Sequence, residues 1–521
     1  MAAPLQTSEA TNWYNNNSHL SLVPEYTSDE TLFDPYATSR EVFNTYFDLR
    51  DQALDVEKIE GEELKAVQDE VREYVIRSDY VDLPDTPEER FSYYTNFPED
   101  IARKKIIGLV DYLERNHADK VSPVELEATR AFIDSTFTMY QSRPKDGRVA
   151  PDADGSFAFV VPARVGRNHP DYGQEVDRAI PGLRYVPNEL RAAMLTGLPP
   201  FVIDTYQYNS EGRRGYLMFA PVYEDMAEDL GSRSDFFRAA RQNVNAAVDF
   251  AQERFGVTVV GLGATLPSIT KFGSTVTNKN VVTTTGHGGT VDIIRKTVEA
   301  VHDGKEFKTI GVLGLGSIGE SIARVMANEH PEAKIHVYDP RQAAMDKVTR
   351  DSEQFVAESD EKAIISASEI VISAITSRLD LRKIGIENLN GTIFVDDSMP
   401  ASIDPGQAKE LGGAAVWVIA RDIAATVARR RGYDYATMVD SHSDLFGCEA
   451  EAASIAEYQV ELRRRGMTDP IIKRIIDKVA INGPVNVKAV RLISALFTKY
   501  GVLPSEPQAF GEPVVLPGHA A

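Results

Sequence analysis

Cysteine is nearly absent from this chain of 521 residues: Cys448 is the only one. That excludes a disulfide framework and a cysteine-based structural zinc site. Long apolar runs are also missing. Nothing approaches the roughly 20 apolar residues that a membrane-spanning helix needs. Positive charge is short, with 56 Lys and Arg against 78 Asp and Glu and a formal charge of −22. Such a surface disfavours non-specific nucleic-acid binding and adsorption to anionic membranes. Met1 to Ser18 is polar and asparagine-rich. A secretory signal needs an apolar segment there, so a cytoplasmic protein is expected. Two basic runs stand against this background, Arg429–Arg431 and Arg463–Arg465. They read as solvated helix ends or as a docking patch for an anionic partner.

The chain divides by pattern. Ser39 to about Ser142 repeats apolar residues at helical spacing, and Ser122-Pro123-Val124-Glu125 carries a capping-box signature with proline at the first helical position. Residues 1–150 therefore read as an all-helical N-terminal extension without a chemical motif. Arg143 to Gly155 is a turn-rich linker. Strand signals and helices alternate over 156–300, beginning with the buried-strand run Phe157–Val161 and including a helix over Phe236–Phe255. This part reads as an α/β substrate domain completed by C-terminal helices over 431–502. Residues 305–430 alternate cleanly between apolar strands and helices, the pattern of a doubly wound parallel sheet, a Rossmann domain. A proline-rich tail, 503–521, is expected to be irregular. The fold class is thus α/β with a helical extension.

Gly314-Leu315-Gly316-Ser317-Ile318-Gly319 follows an apolar strand and opens a helix. Gly314 permits the tight turn, Gly316 lets backbone approach a pyrophosphate, and Gly319 lets helix and strand pack closely. The phosphates then meet free N–H groups, including those of Ser317 and Ile318, at the positive end of the helix. Asp339 stands twenty residues on, at the end of the next strand. A carboxylate there accepts from a ribose 2′-hydroxyl and repels a 2′-phosphate, which favours NADH over NADPH. Arg341, two residues later, softens that preference. Ala374-Ile375-Thr376 lies where such folds pass a ribose or the nicotinamide, and reads equally as a strand-end turn. Gly261-Leu262-Gly263 imitates the fingerprint but has Leu266 in the third glycine position; a turn in a substrate pocket is the better reading. Thr283 to Thr290 is read as a polar loop ahead of a helix from Val291. His287 within it is either a proton-transfer group or an exposed loop histidine.

Cys448 precedes a good helix former, Glu449 to Ala456. A helix N-terminus stabilises a thiolate, whereas Glu449 and Glu451 oppose it. His442 lies six residues upstream as a further acid or base. Residues from about 156 to 500 resemble the cyanobacterial-type long-chain acyl-[acyl-carrier-protein] reductases. The resemblance is carried by Leu198-Pro199-Pro200-Phe201-Val202, Glu211 to Gly215, Gly256 to Gly263, Thr284 to Thr290, Phe394 to Pro400 and Phe446-Gly447-Cys448-Glu449-Ala450-Glu451-Ala452. It implies NAD(P)H-dependent reduction of an acyl thioester to an aldehyde, with Cys448 as the nucleophile that carries the acyl group. It also implies an acyl carrier protein or coenzyme A thioester as substrate, His287 or His442 as proton donor, and no metal. The chain departs from the family at Asp339, where a basic residue is usual, and at His287 and Gly289, where the family has asparagine and histidine. Residues 1–150 have no counterpart; they are read as a cover for the pocket, or as a surface for a carrier, another protein or a second copy. Two rivals stand beside this reading: an NAD-linked hydroxy- or amino-acid dehydrogenase that needs no thiol, and a nucleotide-sensing scaffold.

Overall fold

The computed structural model describes residues 35–143, 156–163, 165, 173–208, 213–223, 226–302, 306–398, 401–422, 428–429, 444–480 and 485–518. It is an α/β structure built on two six-stranded sheets. The first contains β1 (Phe157–Pro162), β2 (Phe201–Tyr208), β3 (Arg213–Ala220), β4 (Val259–Leu262) and β5 (Val282–Thr284), in the order β2-β3-β1-β4-β5. Strands β3, β1, β4 and β5 run parallel, while β2 is antiparallel to β3. The short strand Ala428–Arg429 closes the β2 edge. Phe157 to Val160 are all buried. A parallel strand covered on both faces wants such a continuous apolar run.

The second sheet contains β6 (Thr309–Leu313), β7 (Lys334–Tyr338), β8 (Phe355–Ala357), β9 (Ile370–Ser373), β10 (Ile393–Asp396) and β11 (Ala414–Trp417). Its order is β11-β10-β9-β6-β7-β8, parallel throughout. The chain winds outward from β6 to β8, then returns beside β6 at β9 and winds the other way. That reversal leaves a crevice at the carboxyl ends of β6 and β9, where such sheets bind ligands. The Rossmann expectation for this segment holds.

Among the described residues, five helices precede the sheets: Pro35–Leu54, Gly61–Arg77, Pro87–Thr95, Glu99–Asn116 and Pro123–Gln141. Both Thr86/Glu89 and Ser122/Glu125 close capping boxes. The helices do not stand apart from the sheets. Arg50, with no exposed side-chain area, donates to the Ile203 carbonyl at 2.5 Å, beside the bulge in β2, and lies 3.8 Å from buried Asp204. Tyr46 Oη donates to the Ala179 carbonyl, and Asn243 of the Arg233–Phe255 helix donates to the Tyr94 carbonyl. One apolar core runs from Phe43 and Phe132 through Phe159 to Val312 and Val416.

Two expectations need correction. Val282–Thr284 is a strand and the next helix begins at His287, four residues before Val291. Only Thr285 and Gly286 remain as the loop. Residues 502–513 form short strands rather than an irregular tail: Val502–Pro504 pairs with Ala420–Asp422, and Gln508–Ala509 pairs with Glu512–Pro513. Among the described residues, none before Phe159 lines the pocket considered below, and the helices from Pro35 to Gln141 pack against the first sheet.

Candidate functional site

The fingerprint turn joins β6 to the helix Ser317–Glu329. Gly314 sits at φ +85°, a conformation that side-chain-bearing residues rarely adopt. A Cβ on Gly319 would lie 1.8 Å from the Gly314 carbonyl oxygen, so helix and turn can only meet at glycine. A Cβ on Gly316 would meet nothing within 4 Å. That open space lies over the helix N-terminus, whose first amides and dipole favour an anion. The cradle fits the pyrophosphate of a dinucleotide. Ala374 packs 3.5 Å from a Cβ on Gly319, tying the turn after β9 to the fingerprint, while Thr376 is exposed.

Asp339 is placed at the end of β7 as expected, but its carboxylate is already engaged. It accepts from the Leu315 amide at 2.8 Å, from the Arg341 amide at 2.9 Å, and from Arg341 Nε and Nη2 at 2.8 and 2.9 Å. These donors lower its pKa to about 2. Arg341 also donates to the Leu315 carbonyl and remains largely exposed. The acid therefore acts first as a support for the fingerprint turn and for Arg341. A ribose can reach it only as the guanidinium moves.

A pocket opens where the carboxyl ends of both sheets converge. Its apolar wall includes Phe159, Val161, Leu217, Leu262 and Pro267; its polar groups are Thr285, His287, Thr290, Asp397 and Cys448. Ile318 of the fingerprint lines the same pocket, so the nucleotide cradle and the pocket are contiguous. Gly263 and Ala264 also line it, as the pocket-turn reading of 261–266 anticipates.

Cys448 is the second residue of the helix Gly447–Arg464. That helix and His287–Val301 meet at their N-termini through glycine. A Cβ on Gly286 would lie 2.1 Å from Cys448 Cβ, and one on Gly289 would lie 2.1 Å from the Gly447 carbonyl oxygen. Buried Glu451 locks the junction: its carboxylate accepts from the Gly289 amide at 2.6 Å and from the Thr284 hydroxyl. The helix terminus does not win the contest over the thiol. Burial, followed by Glu449 and Asp397, pushes the Cys448 pKa up, against the N–H of Glu449 that favours the thiolate.

His287 is not an exposed loop residue. It begins its helix, is half-buried, and pairs through Nδ1 with Ser317 Oγ at 3.2 Å. Burial lowers its pKa to about 4. At neutral pH the imidazole is uncharged, which leaves it a hydrogen-bonding group between the pocket and the fingerprint and removes it as an acid. His442 lies outside the described residues.

Asp397, Thr285 and Thr290 are pocket residues that the sequence reading did not single out. The basic run Arg463–Arg465 lies at the far end of the Cys448 helix. These residues end the helix that Cys448 begins, about 24 Å away at 1.5 Å per residue. Arg463 pairs with Asp469 and Arg465 with Glu461. Glu299, Glu329 and His330 form a cluster that a metal could use, among the described residues, but Arg295 already pairs with both carboxylates.

Residues 309–388 match a family described as 3-hydroxyacyl-CoA dehydrogenase, NAD binding domain. No curated protein matches the chain. Among solved structures it is similar to quinate dehydrogenase from Corynebacterium glutamicum in complex with NAD, at 15% identity over 67% of this chain and 100% of that one, with a TM-score of 0.28. It is also similar to L-tryptophan dehydrogenase from Nostoc punctiforme, at 13% identity over 64% and 93% of the two chains, with a TM-score of 0.27. An imine reductase from Bacillus cereus BAG3X2 shares 22% identity over 21% of this chain and 40% of its own, with a TM-score of 0.17. The NAD-type domain is thus supported by sequence family as well as by the glycine geometry.

Proposed function

We propose that this protein is a nicotinamide-dependent oxidoreductase that reduces acyl thioesters to aldehydes through a covalent acyl group on Cys448. One observation carries the reading: the only thiol of the chain faces a pocket that also contains Ile318 of the dinucleotide fingerprint. Gly314, Gly316, Ser317 and Gly319 would hold the pyrophosphate, with Asp339 and Arg341 at the adenosine ribose. A bound reduced nicotinamide supplies the hydride.

Cys448 Sγ attacks the acyl carbon and the carrier thiol departs with one proton. The acyl chain lies along Phe159, Val161, Leu217 and Leu262, where burial excludes water and so protects the thioester from hydrolysis. Thr285 and Thr290 line the same pocket and would donate hydrogen bonds to the carbonyl oxygen. The raised pKa of the free thiol means that the nucleophile is made on demand: substrate entry must coincide with proton loss from Sγ.

That same raised pKa favours a second reading, an NAD-linked dehydrogenase acting on a hydroxy or amino acid without covalent catalysis. The match of 309–388 to a dehydrogenase NAD-binding family suits either. Cys448→Ser separates them. Purified protein is given acyl-coenzyme A or acyl carrier protein with NADH or NADPH, and aldehyde and intact mass are followed. Aldehyde formation should fall at least about 100-fold in the variant, with acyl mass on the wild-type chain only. Wild-type turnover in Cys448→Ser would leave the dehydrogenase reading in its place.

A further inference from the structure

We propose that Asp397 is the proton donor of this site, handing its carboxyl proton to Cys448 Sγ as the carbon–sulfur bond of the acyl-enzyme breaks. The role rests on the thioester reading above and adds a catalytic residue to it.

The strand β10 ends at Asp396, Asp397 follows it, and the fold gives the two acids different work. Asp396 is consumed by the turn that follows. It accepts from the Ser398 amide at 3.0 Å, the Ser402 amide at 2.7 Å, the Ser402 hydroxyl at 2.9 Å and the Ile403 amide at 3.1 Å. Among the described residues, Asp397 is anchored through its backbone amide, which donates to the Ser373 carbonyl at 3.2 Å. Its side chain lines the pocket with Cys448, His287 and Ile318.

The surroundings favour its protonated form. Burial, and then the Asp396 charge, raise the Asp397 pKa well above the ordinary carboxylate range. Among the described residues, the titratable groups facing this region are the adjacent Asp396, His287 at the start of its helix, and Cys448, Glu449 and Glu451 on the helix Gly447–Arg464. None of these is a cation at neutral pH, since burial holds His287 uncharged. A carboxyl group whose surroundings favour its protonated form is better suited to donate a proton than an ordinary aspartate. His287 lacks that capacity, so Asp397 takes the task that the sequence assigned to a histidine.

The step balances. In the reduction half the acyl carbon receives hydride, with the dihydronicotinamide as the two-electron reductant. The carbonyl re-forms and the C–S bond breaks with its electron pair on Sγ. Asp397 O–H then protonates Sγ, leaving the thiol, the aldehyde and an Asp397 carboxylate. The carboxylate takes one proton from solvent, the proton that the overall reduction consumes.

The lone cysteine makes the test direct. Iodoacetamide alkylation, read by intact mass against pH, reports Cys448 alone. In the wild type the Asp397 charge, once formed, opposes the thiolate. Asp397→Asn should therefore raise the alkylation rate only above the pH at which Asp397 ionises, steepening the profile there and leaving lower pH near wild type, while Asp397→Glu stays near wild type throughout. With acyl-coenzyme A and reduced cofactor, Asp397→Asn should accumulate acylated Cys448 while aldehyde release falls about 100-fold, and Asp397→Glu should recover part of the loss. An unchanged alkylation profile, or wild-type aldehyde release in Asp397→Asn, overturns the donor role while the acyl-enzyme reading stands. A wild-type Cys448 that no acyl thioester acylates sinks that reading and the donor role together.

Discussion

At the scale of single residues, the pair Asp339–Arg341 shows how a motif can be right in place and incomplete in meaning. Position alone makes Asp339 a reader of the ribose 2′-hydroxyl. In the structure both its oxygens serve Arg341 and the Leu315 amide. The free energy of admitting either cofactor therefore includes breaking part of a charge-assisted bidentate pair, worth about 1.5–3 kcal/mol. A 2′-phosphate offers Arg341 a replacement partner, while a 2′-hydroxyl offers one to Asp339. Arg341→Ala should weaken NADPH binding about tenfold or more and leave NADH nearly unchanged or tighter; Asp339→Ala, which frees Arg341, should shift the ratio toward NADPH. Equilibrium binding of each cofactor by fluorescence checks both. Equal losses for the two cofactors in Arg341→Ala would show that the arginine reads no phosphate. The glycines and Asp339 were legible because their spacing is set by local backbone geometry. Asp397 was not, because two adjacent acids after a strand look alike until the turn that captures Asp396 is known.

At the scale of elements, long periodic segments announced themselves, and three-residue strands did not. β5 and β8 have three residues each, too short for a two-residue period to register. The misplaced start of the His287 helix has a specific cause. Gly286, Gly288 and Gly289 are poor helix residues, so propensity argued for a loop. Packing overrides propensity here: the glycines let two helix N-termini touch and present His287 and Cys448 to one pocket. Magnitudes make this testable. Gly289→Ala gains about 1 kcal/mol in helix propensity. Its Cβ would stand 2.1 Å from the Gly447 carbonyl oxygen and 3.0 Å from Glu451 Cβ. Relief requires the two helices to separate, and overpacking of this kind costs about 1–3 kcal/mol, more against backbone. The clash should win: urea unfolding should show net destabilisation, and iodoacetamide should reach Cys448 faster. A stabilised Gly289→Ala would mean that the helix ends do not meet as described.

At the scale of the whole molecule, the helical extension could be read as helices but not assigned a place, because an amphipathic face is local and its partner is not. Its docking is polar as well as apolar. Lys105, nearly fully buried, donates to Tyr93 Oη at 2.5 Å and to the Ala193 carbonyl at 2.7 Å, near the C-terminus of the helix Asn188–Leu195. It thus caps one element of the sheet-bearing part from within the extension. Burial lowers its pKa from the ordinary 10.5 to about 7. In the unfolded chain the same lysine keeps its proton up to about pH 10.4. Between those values the unfolded state binds the extra proton, so stability rises with pH across this window. Below about pH 7 both states are protonated and the cost of the buried charge is fully present; above about 10.4 neither is, and it is gone. Tyr93, raised to about 12, keeps its proton in the folded chain through this window, and the unfolded tyrosine keeps it below about pH 9. From pH 7 to 9, wild type should gain roughly 2–3 kcal/mol relative to Lys105→Met, at most about 1.4 kcal/mol per pH unit. Paired urea denaturations at pH 7, 8 and 9 measure the difference, in which all other titrations cancel. Parallel curves would place Lys105 at its ordinary pKa and the extension less firmly against Ala193. A converging pair of curves would show that the extension and the sheets unfold as one body, since a proton bound in the extension could only then act on the stability of the whole.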